Sequence, residues 1–237
     1  TVLELGCGGG DLLNFLQKNL NCQCIGVDIS EEKITIAKSR FPEIKFIREN
    51  ANKVRLTTKI DVIILSDLVG IVPDVQEIFE NTRKLCAPET RIILNFYNYF
   101  WEPISNISQK LHLIPKTKMQ NWLSIYDIRG LLELTNFEVV KSGSRLLLPK
   151  YLHVFSWILN KYIARFPPFK KICFYNYVIA RPSNVKESEN VWDNKTTSVI
   201  IPAMNEKGNI ESAILRIPSM GKNTEIIFVE GNSKDGT

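Results

Sequence analysis

A cluster of glycines near the start of the chain limits the fold more than any other feature of the sequence. The segment LELGCGGGD, residues 3–11, places these glycines between an apolar run and a stretch with helical periodicity. Glycine adopts backbone angles that other residues avoid and lets a ligand approach the main chain closely. The free N–H groups at the start of the following helix can bind a carboxylate or a phosphate. The sequence therefore predicts a strand, a ligand-binding loop and a helix.

The chain after this loop continues to alternate strand-like and helical patterns. Apolar runs at CIGVD, KFI, DVIILS and RIILNFY predict strands two to five, and helical stretches lie between most of them. Such alternation predicts parallel βαβ units in an α/β sheet. We expect a sixth strand at FEVVKSG and a seventh at ICFYNYVIA, with an irregular stretch over Asn98–Ser124 and a helix over Ile125–Leu134.

Acidic residues near the glycines indicate which ligand the loop binds. Asp28 ends the second strand, eighteen residues after Gly10, where a carboxylate can accept the ribose hydroxyls of an adenosine-containing cofactor. A dinucleotide fingerprint requires a glycine or alanine where this chain has Asp11. The glycines instead have G-x-G-x-G spacing, with Glu4 two residues before the first. A nicotinamide or flavin site and a coincidental glycine turn remain as alternatives.

On these residues the chain resembles the class I S-adenosylmethionine-dependent methyltransferases. The first motif of that family is an acid, one residue and G-x-G-x-G, which Glu4, Gly6, Gly8 and Gly10 match. The resemblance covers residues 1–181. It implies a Rossmann-like, doubly wound sheet of seven strands and S-adenosylmethionine as the cofactor.

The same resemblance implies roles for single residues. Glu4 and the loop backbone, which includes Cys7, would hold the methionine part of the cofactor. Asp28 would hold the ribose, and Ile29 would pack on the adenine. The segment ENAN matches the adenine-contact motif, although Asn50 stands where the family usually has an aspartate; its side-chain carbonyl can still accept a hydrogen bond. Ala51 would supply a backbone N–H.

The fourth and fifth strands point to an acceptor site, because ligands of open α/β sheets bind beyond the carboxyl ends of strands. Ser66 is expected at the cofactor edge, and Asp67 is the candidate catalytic base; a helix-capping or loop role for Asp67 is the alternative. Tyr97, Trp101 and Trp122 are candidate acceptor-binding residues, with core packing as the alternative. The cysteine spacing does not match a zinc site, so no metal is expected.

Positive charge is concentrated in one part of the chain. The net charge is +5, and no acidic residue occurs between Val139 and Lys186. The insertion YLHVFSWILNKYIARF within this stretch has a helical, basic and aromatic pattern. Residues 151–171 could therefore contact an anionic membrane surface, or could simply cover the sheet. No RNA-binding fingerprint occurs, so we expect no nucleic-acid partner. We expect a cytoplasmic protein that could also contact the inner face of the membrane peripherally.

The last forty or so residues differ in character from the rest. A polar linker is expected over residues 182–196. Residues 197–237 resemble the start of family 2 glycosyltransferases, in a truncated α/β unit that binds a nucleotide sugar. SVIIPAMNE and EIIFVEGNSKDGT carry the likeness, although Gly231 replaces the second of two successive acids. The resemblance implies that Ala203, Glu206 and Glu230 border the nucleotide, and that the chain is a fragment of a longer protein.

The leading functional expectation is O-methylation of a sugar, a glycan precursor or a lipid-linked intermediate by a methyltransferase fused to a glycosyltransferase. One alternative is a catalytically silent module that binds S-adenosylmethionine and positions the glycosyltransferase at a membrane. Another is methylation of a quinone or a small aromatic acceptor.

Overall fold

The computed structural model describes residues 1–113, 120–147, 153–183 and 195–237. Contacts divide the chain into two compact units, Thr1–Asn184 and Val185–Thr237. Each unit is described by itself.

The first unit is built on a seven-stranded sheet with strand order β3-β2-β1-β4-β5-β7-β6. Strands β1 to β5 run parallel, whereas β7 pairs antiparallel with both β5 and β6. This order confirms the predicted Rossmann-like, doubly wound sheet. The strands are β1 (Val2–Leu5), β2 (Cys24–Asp28), β3 (Lys45–Arg48), β4 (Val62–Ser66), β5 (Arg91–Tyr97), β6 (Phe137–Arg145) and β7 (Tyr175–Pro182).

Helices cover both faces of this sheet, and several begin at the residues that favour a helix start. Ser30 accepts a hydrogen bond from Lys33 N–H, Asp74 accepts one from Glu77 N–H, and Ser124 forms a capping box with Asp127. The helices are α1 (Asp11–Leu20), α2 (Glu31–Arg40), α3 (Val75–Lys84), α4 (Glu102–Lys110), α5 (Ile125–Leu134), α6 (His153–Lys161) and α7 (Pro167–Lys170).

Two apolar clusters lie on the two sides of the sheet. The larger joins sheet residues to α3 and α5 through Phe79 and Leu132, and the smaller joins them to α1 and α2 through Leu13 and Ile34. Because both faces of the sheet are covered, β2 is buried along its whole length. No helix among the described residues is long and apolar enough to cross a membrane.

The structure departs from the sequence predictions at two places in this unit. The stretch Asn98–Ser124, predicted to be irregular, contains a 3₁₀ turn over Tyr99–Trp101 and helix α4. Pro103 does not prevent this helix because it lies in the first turn, where its missing N–H is not needed. Strand β7 begins at Tyr175 rather than Ile172, since Ile172 N–H bonds back to Phe169 O in the turn after α7.

The second unit is a strand–helix–strand. Strand β8 (Thr196–Ala203) pairs in parallel with β9 (Asn223–Glu230), and α8 (Ile210–Arg216) connects them. Pro182 belongs to β7 and Thr196 to β8, so both ends of the expected 182–196 linker lie in strands. Residues 184–194 of that linker fall outside the described residues.

Candidate cofactor and acceptor site

The glycine loop joins β1 to α1 with three residues in the left-handed backbone region. Gly6, Gly8 and Gly10 have φ values of 80°, 54° and 80°. A Cβ at Gly10 would lie 2.6 Å from Phe46 Cζ, so glycine is needed there for space as well as for conformation. The tight turn brings the loop against the end of β2.

Asp28 fixes this loop through its side chain. Its Oδ2 accepts a hydrogen bond from Gly8 N–H at 2.8 Å, and its Oδ1 accepts one from Ser30 N–H at 2.9 Å. A carboxylate oxygen can accept a second hydrogen bond, so the expected contact with ribose hydroxyls remains open. The loop-anchoring role is one that the sequence spacing did not reveal.

Glu4 is a buried acid beneath the same loop. Only 3% of its surface is exposed, and within the described part of the chain no donor reaches its Oε2. Burial, and then the charge of Asp28, raise the pKa of the Glu4 carboxyl to about 8. An unsatisfied buried carboxylate oxygen is costly unless a cation or a donor pairs with it. The site therefore fits a ligand with a positively charged group, such as the methionine ammonium of the expected cofactor.

A cavity of about 640 Å³ opens at the carboxyl ends of β1, β2 and β4. Its volume falls in the range of small-molecule sites. The structure brings most of the predicted residues to its wall. These are Gly6, Asp28, Ile29, Asn50, Ala51, Ser66, Asp67 and Tyr97.

The adenine end of the cavity is formed by the loops after β2 and β3. Ile29 is 67% exposed at the cavity wall, which suits a flat apolar ligand surface. Asn50 Oδ1 accepts a hydrogen bond from Asn52 N–H at 3.1 Å, so the side chain that replaces the family's aspartate also shapes its own loop. Ala51 O accepts a hydrogen bond from Asn81 Nδ2 at 2.8 Å, a tether from α3 that the sequence did not predict.

The cavity wall does not include Glu4, Cys7, Gly8 or Gly10. The Cys7 thiol lies in the smaller apolar cluster, where burial raises its pKa to about 12. The Cys7 N–H donates to Val27 O at 2.9 Å, so this residue shapes the loop rather than facing the cavity. Gly10 lies against Phe46 at the start of α1.

Asp67 has the most constrained geometry at the other end of the cavity. It has φ of 55°, and its Oδ1 accepts a hydrogen bond from Asn95 Nδ2 at 2.8 Å. Its Oδ2 accepts one from the Tyr175 hydroxyl at 3.4 Å. Burial raises the pKa of the Asp67 carboxyl, and the Tyr175 hydrogen bond opposes that rise. The side chain forms no capping hydrogen bond to the 3₁₀ turn that follows, so of the alternative role only its loop part stays open.

Of the three candidate acceptor-binding aromatic residues, Tyr97 lines the cavity, whereas Trp101 and Trp122 do not. Tyr97 lines the cavity and stacks on Tyr175, with ring centroids 5.0 Å apart. Trp122 lies 6.4 Å from the Tyr97 ring. Trp101 donates its indole N–H to Ile172 O at 3.0 Å and packs edge-on to Phe174. The core-packing alternative therefore describes Trp101 well.

Further residues line the cavity that the sequence did not single out for it, among them Lys33, Ile71 and Val72. Tyr175 and Asn95 complete the surroundings of Asp67 from β7 and β5. No cluster of histidine, cysteine, aspartate and glutamate side chains in the described ranges could hold a metal ion.

Of the residues singled out in the second unit, Ala203 and Glu230 end strands β8 and β9, and Glu206 lies in the loop after β8. Glu230 accepts hydrogen bonds from Asn232 N–H and Ser233 N–H. Hydrogen bonding by the Ser233 side chain, and then by these two N–H groups, lowers the pKa of its carboxyl. Glu206 N–H donates to Thr237 Oγ1 at 2.9 Å, and Gly231 N–H donates to Ala203 O at 2.9 Å. The two loops are thus bonded to each other.

The strand order, the glycine loop and the acid at the end of β2 together define a Rossmann-like methyltransferase fold. A family model described as a methyltransferase domain matches residues 1–142, and the chain belongs to that family. The family match supports S-adenosylmethionine as the cofactor. A comparison with curated protein sequences gave no match.

Solved structures of methyltransferases share this fold. Magnesium protoporphyrin IX methyltransferase from Synechocystis PCC 6803, with bound S-adenosylhomocysteine, is 18% identical over 77% of this chain and 73% of its own, with a TM-score of 0.54. An S-adenosylmethionine-dependent methyltransferase from Mesorhizobium loti is 15% identical over 76% of this chain and 89% of its own, with a TM-score of 0.56. One from Clostridium acetobutylicum is 12% identical over 77% and 83%, with a TM-score of 0.54. At these identities the likeness concerns the fold.

Proposed function

We propose that this chain transfers a methyl group from S-adenosylmethionine to a hydroxyl oxygen of a sugar, a glycan precursor or a lipid-linked intermediate. The observation that carries the proposal is the placement of Asp67. Its carboxylate is held by Asn95 and Tyr175 at the wall of the same cavity that Asp28 lines. One cavity thus combines an adenosine-type binding loop with a positioned base.

The cofactor would be held by residues of the first three strand ends. Glu4 would offer its unsatisfied carboxylate oxygen to the ammonium group, and Asp28 would accept from the ribose hydroxyls. Ile29 would pack against the adenine, with Asn50 and Ala51 at its edge. S-adenosylmethionine supplies a methyl group on a sulfonium sulfur, which leaves as a neutral thioether.

Asp67 would take the proton of the acceptor. The acceptor oxygen forms a bond to the methyl carbon as the carbon–sulfur bond breaks, and the hydroxyl proton passes to the Asp67 carboxylate. Tyr175 and Asn95 keep that carboxylate in one orientation, which favours a near-attack geometry. Its raised pKa brings the base nearer to the pH at which it must accept a proton.

A second candidate acceptor, a quinone or a small aromatic alcohol, is favoured by one observation. The Tyr97 ring lines the cavity and is stacked on Tyr175, and an aromatic acceptor could pack on the same ring. The acceptor hydroxyl would use Asp67 in the same way, so the two candidates differ in acceptor and not in mechanism.

Two measurements, made one after the other, test the proposal. Calorimetric titration of S-adenosylhomocysteine is expected to show one site that the Asp28→Ala variant weakens. Transfer of radiolabelled methyl from S-adenosylmethionine is then measured on glycan, lipid and quinone fractions, with Asp67→Asn as the test variant and Asp11→Asn, which lies outside the cavity wall, as its matched control. Turnover that Asp67→Asn leaves unchanged would contradict the base. Tight binding without turnover on every fraction would favour the silent-module alternative.

We propose in addition that residues 197–237 begin a nucleotide-sugar domain like that of family 2 glycosyltransferases. The parallel β8–β9 pair and the mutual bonding of its two loops, which place Glu206 and Glu230 at one edge of the sheet, support this proposal. Uridine diphosphate and guanosine diphosphate are the probes. Their binding is monitored by NMR, as changes in the amide chemical shifts of the isotope-labelled chain. We expect shifts near Ala203 and Glu230 that Glu230→Ala abolishes and Glu211→Ala on α8 retains. Shifts absent at saturating nucleotide would contradict the assignment.

A further inference from the structure

Helix α4 carries its apolar residues on the outside. Ile104, Ile107 and Leu111 recur at helical spacing and are 44%, 57% and 63% exposed. Ser105, Ser108 and Gln109 of the same helix are partly covered. A surface helix of a globular protein normally has the opposite arrangement. The apolar stripe of α4 is therefore available to something outside this unit.

A second exposed apolar surface follows β6 in the chain. Trp157, Tyr162, Phe166 and Phe169, on α6 and in the turns up to α7, are each at least 40% exposed. Lys161 Nζ lies 4.5 Å from the centre of the Trp157 ring and 5.6 Å from that of Tyr162. The aromatic rings thus lie beside a positive charge.

Hydrogen bonds join the chain segment before α4 to the segment after α7. Asn98 Nδ2 donates to Lys171 O at 2.8 Å and to Cys173 O at 2.9 Å. The indole N–H of Trp101, just before α4, donates to the carbonyl oxygen of Ile172, just after α7. The start of α4 and the end of α7 therefore meet, and we refer to the exposed residues of α4 and of 157–171 together as the basic apolar face.

The charge of this face is mainly positive, although α4 begins with the exposed acidic residue Glu102. Lys110, Lys161, Lys170 and Lys171 are all exposed, and no acidic residue occurs from Val139 to Lys186. Each lysine near an anionic bilayer is attracted by the negative surface potential of the lipids. Aromatic and aliphatic side chains next to lysines are the composition of segments that lie in the bilayer interface.

We infer that the basic apolar face docks on the surface of an anionic phospholipid bilayer. Ile107 and Leu111 would enter the boundary between headgroups and acyl chains, Trp157 and Tyr162 would lie at headgroup level, and the lysines would meet the lipid phosphates. Charge complementarity favours a bilayer over a second copy of this chain, because two copies would bring the same lysines together. The inference goes beyond the proposed methyl transfer, and either can fail without the other.

Vesicle binding by the whole chain tests this inference. Sedimentation with vesicles of phosphatidylglycerol and phosphatidylcholine is expected to show binding that pure phosphatidylcholine vesicles lack and that about 0.5 M salt weakens. Charge reversal in Lys170→Glu/Lys171→Glu should reduce affinity by about tenfold or more. The matched control, Lys18→Glu/Lys38→Glu, reverses two exposed lysines of α1 and α2 and should keep most of the binding.

The apolar contribution is tested separately. Ile107→Asp should weaken binding, whereas Phe15→Asp, which changes an apolar residue of α1 that is 61% exposed, should not. Brominated lipids should quench tryptophan fluorescence, and Trp157→Phe should remove most of that quenching. Equal affinity for neutral and anionic vesicles would overturn the inference, and so would an equal effect of the two charge reversals. It would also be overturned if the chain bound no vesicles but formed a dimer that Ile107→Asp abolished. Circular dichroism of each variant identifies any loss caused by unfolding, in which case Ile107→Ser, a milder change, decides the outcome.

Discussion

The Gly8 N–H donates to Asp28 Oδ2 at 2.8 Å, across 20 positions of sequence. This bond connects the first strand–helix loop to the end of the second strand, so the acid expected to hold the ribose also holds the loop that contacts the rest of the cofactor. A change at Asp28 therefore affects the shape of the site as well as one of its ligand contacts.

Removing the Asp28 carboxylate is expected to weaken cofactor binding in the Asp28→Ala variant by about 1.5–3 kcal/mol, the scale of a hydrogen bond to a charged group. Titration calorimetry with S-adenosylhomocysteine measures it. Asp11→Asn is the matched control, because Asp11 pairs with Arg40 at an exposed position outside the cavity wall. Equal affinities in the two variants would remove Asp28 from the site.

Gly10 is expected to tolerate no side chain. A Cβ there would lie 2.6 Å from Phe46 Cζ, and φ is 80°, so Gly10→Ala adds both a clash and backbone strain. We expect a loss of about 1–3 kcal/mol in the free energy of unfolding. Gly130→Ala in α5 is the control, since nothing lies within 4 Å of a Cβ there and the helix should gain up to about 1 kcal/mol. Thermal and denaturant unfolding of both variants give the comparison.

Glu4 makes stability and cofactor binding depend on pH in opposite directions. Its pKa rises from 4.5 to about 8 on folding, so the folded state holds a proton that the unfolded state has released between these values. The Glu4 contribution to the free energy of unfolding therefore falls as pH rises from about 4.5 to 8. Glu4→Gln should flatten this slope in denaturant unfolding measured at several pH values.

A cationic ligand group reverses the preference, because it favours the ionised carboxylate. S-adenosylhomocysteine should therefore bind more tightly as pH rises towards 8, with release of a proton near pH 7. Calorimetry in buffers of different ionisation enthalpy counts that proton. Glu4→Gln should bind more weakly and release none, and an unchanged proton count in the variant would assign the proton to another group.

The sequence predicted the parts of this protein that depend on local signals. Asp28 ends the second strand as predicted, and the Ile125–Leu134 helix has the predicted bounds. Helix α4 was not predicted because proline usually breaks a helix. Pro103 is tolerated here because it lies in the first turn. Asn81, Asn95 and Tyr175 were missed because only long-range pairing brings them to the site. The Tyr175 contact with Asp67 spans 108 positions, and no spacing rule covers such a distance.

Tyr175→Phe is expected to shift the pH dependence of methyl transfer while leaving cofactor binding intact. The Tyr175 hydroxyl lowers the Asp67 pKa against the effect of burial, so its removal should raise that pKa. If ionised Asp67 is the base, the rising limb of kcat against pH moves to higher pH. The rate should fall at pH values on the rising limb and change little on the plateau above it.

Tyr177→Phe is the control for this change, because Tyr177 lies on the same strand but its ring lies under Arg145. It should leave the pH profile in place. A merely structural role of Tyr175 would lower the rate equally at every pH, which separates packing from positioning of the base. Asp67→Asn should abolish the limb altogether, since an amide accepts no proton in this range. A limb that persists in Asp67→Asn would assign the titrating group to the acceptor itself.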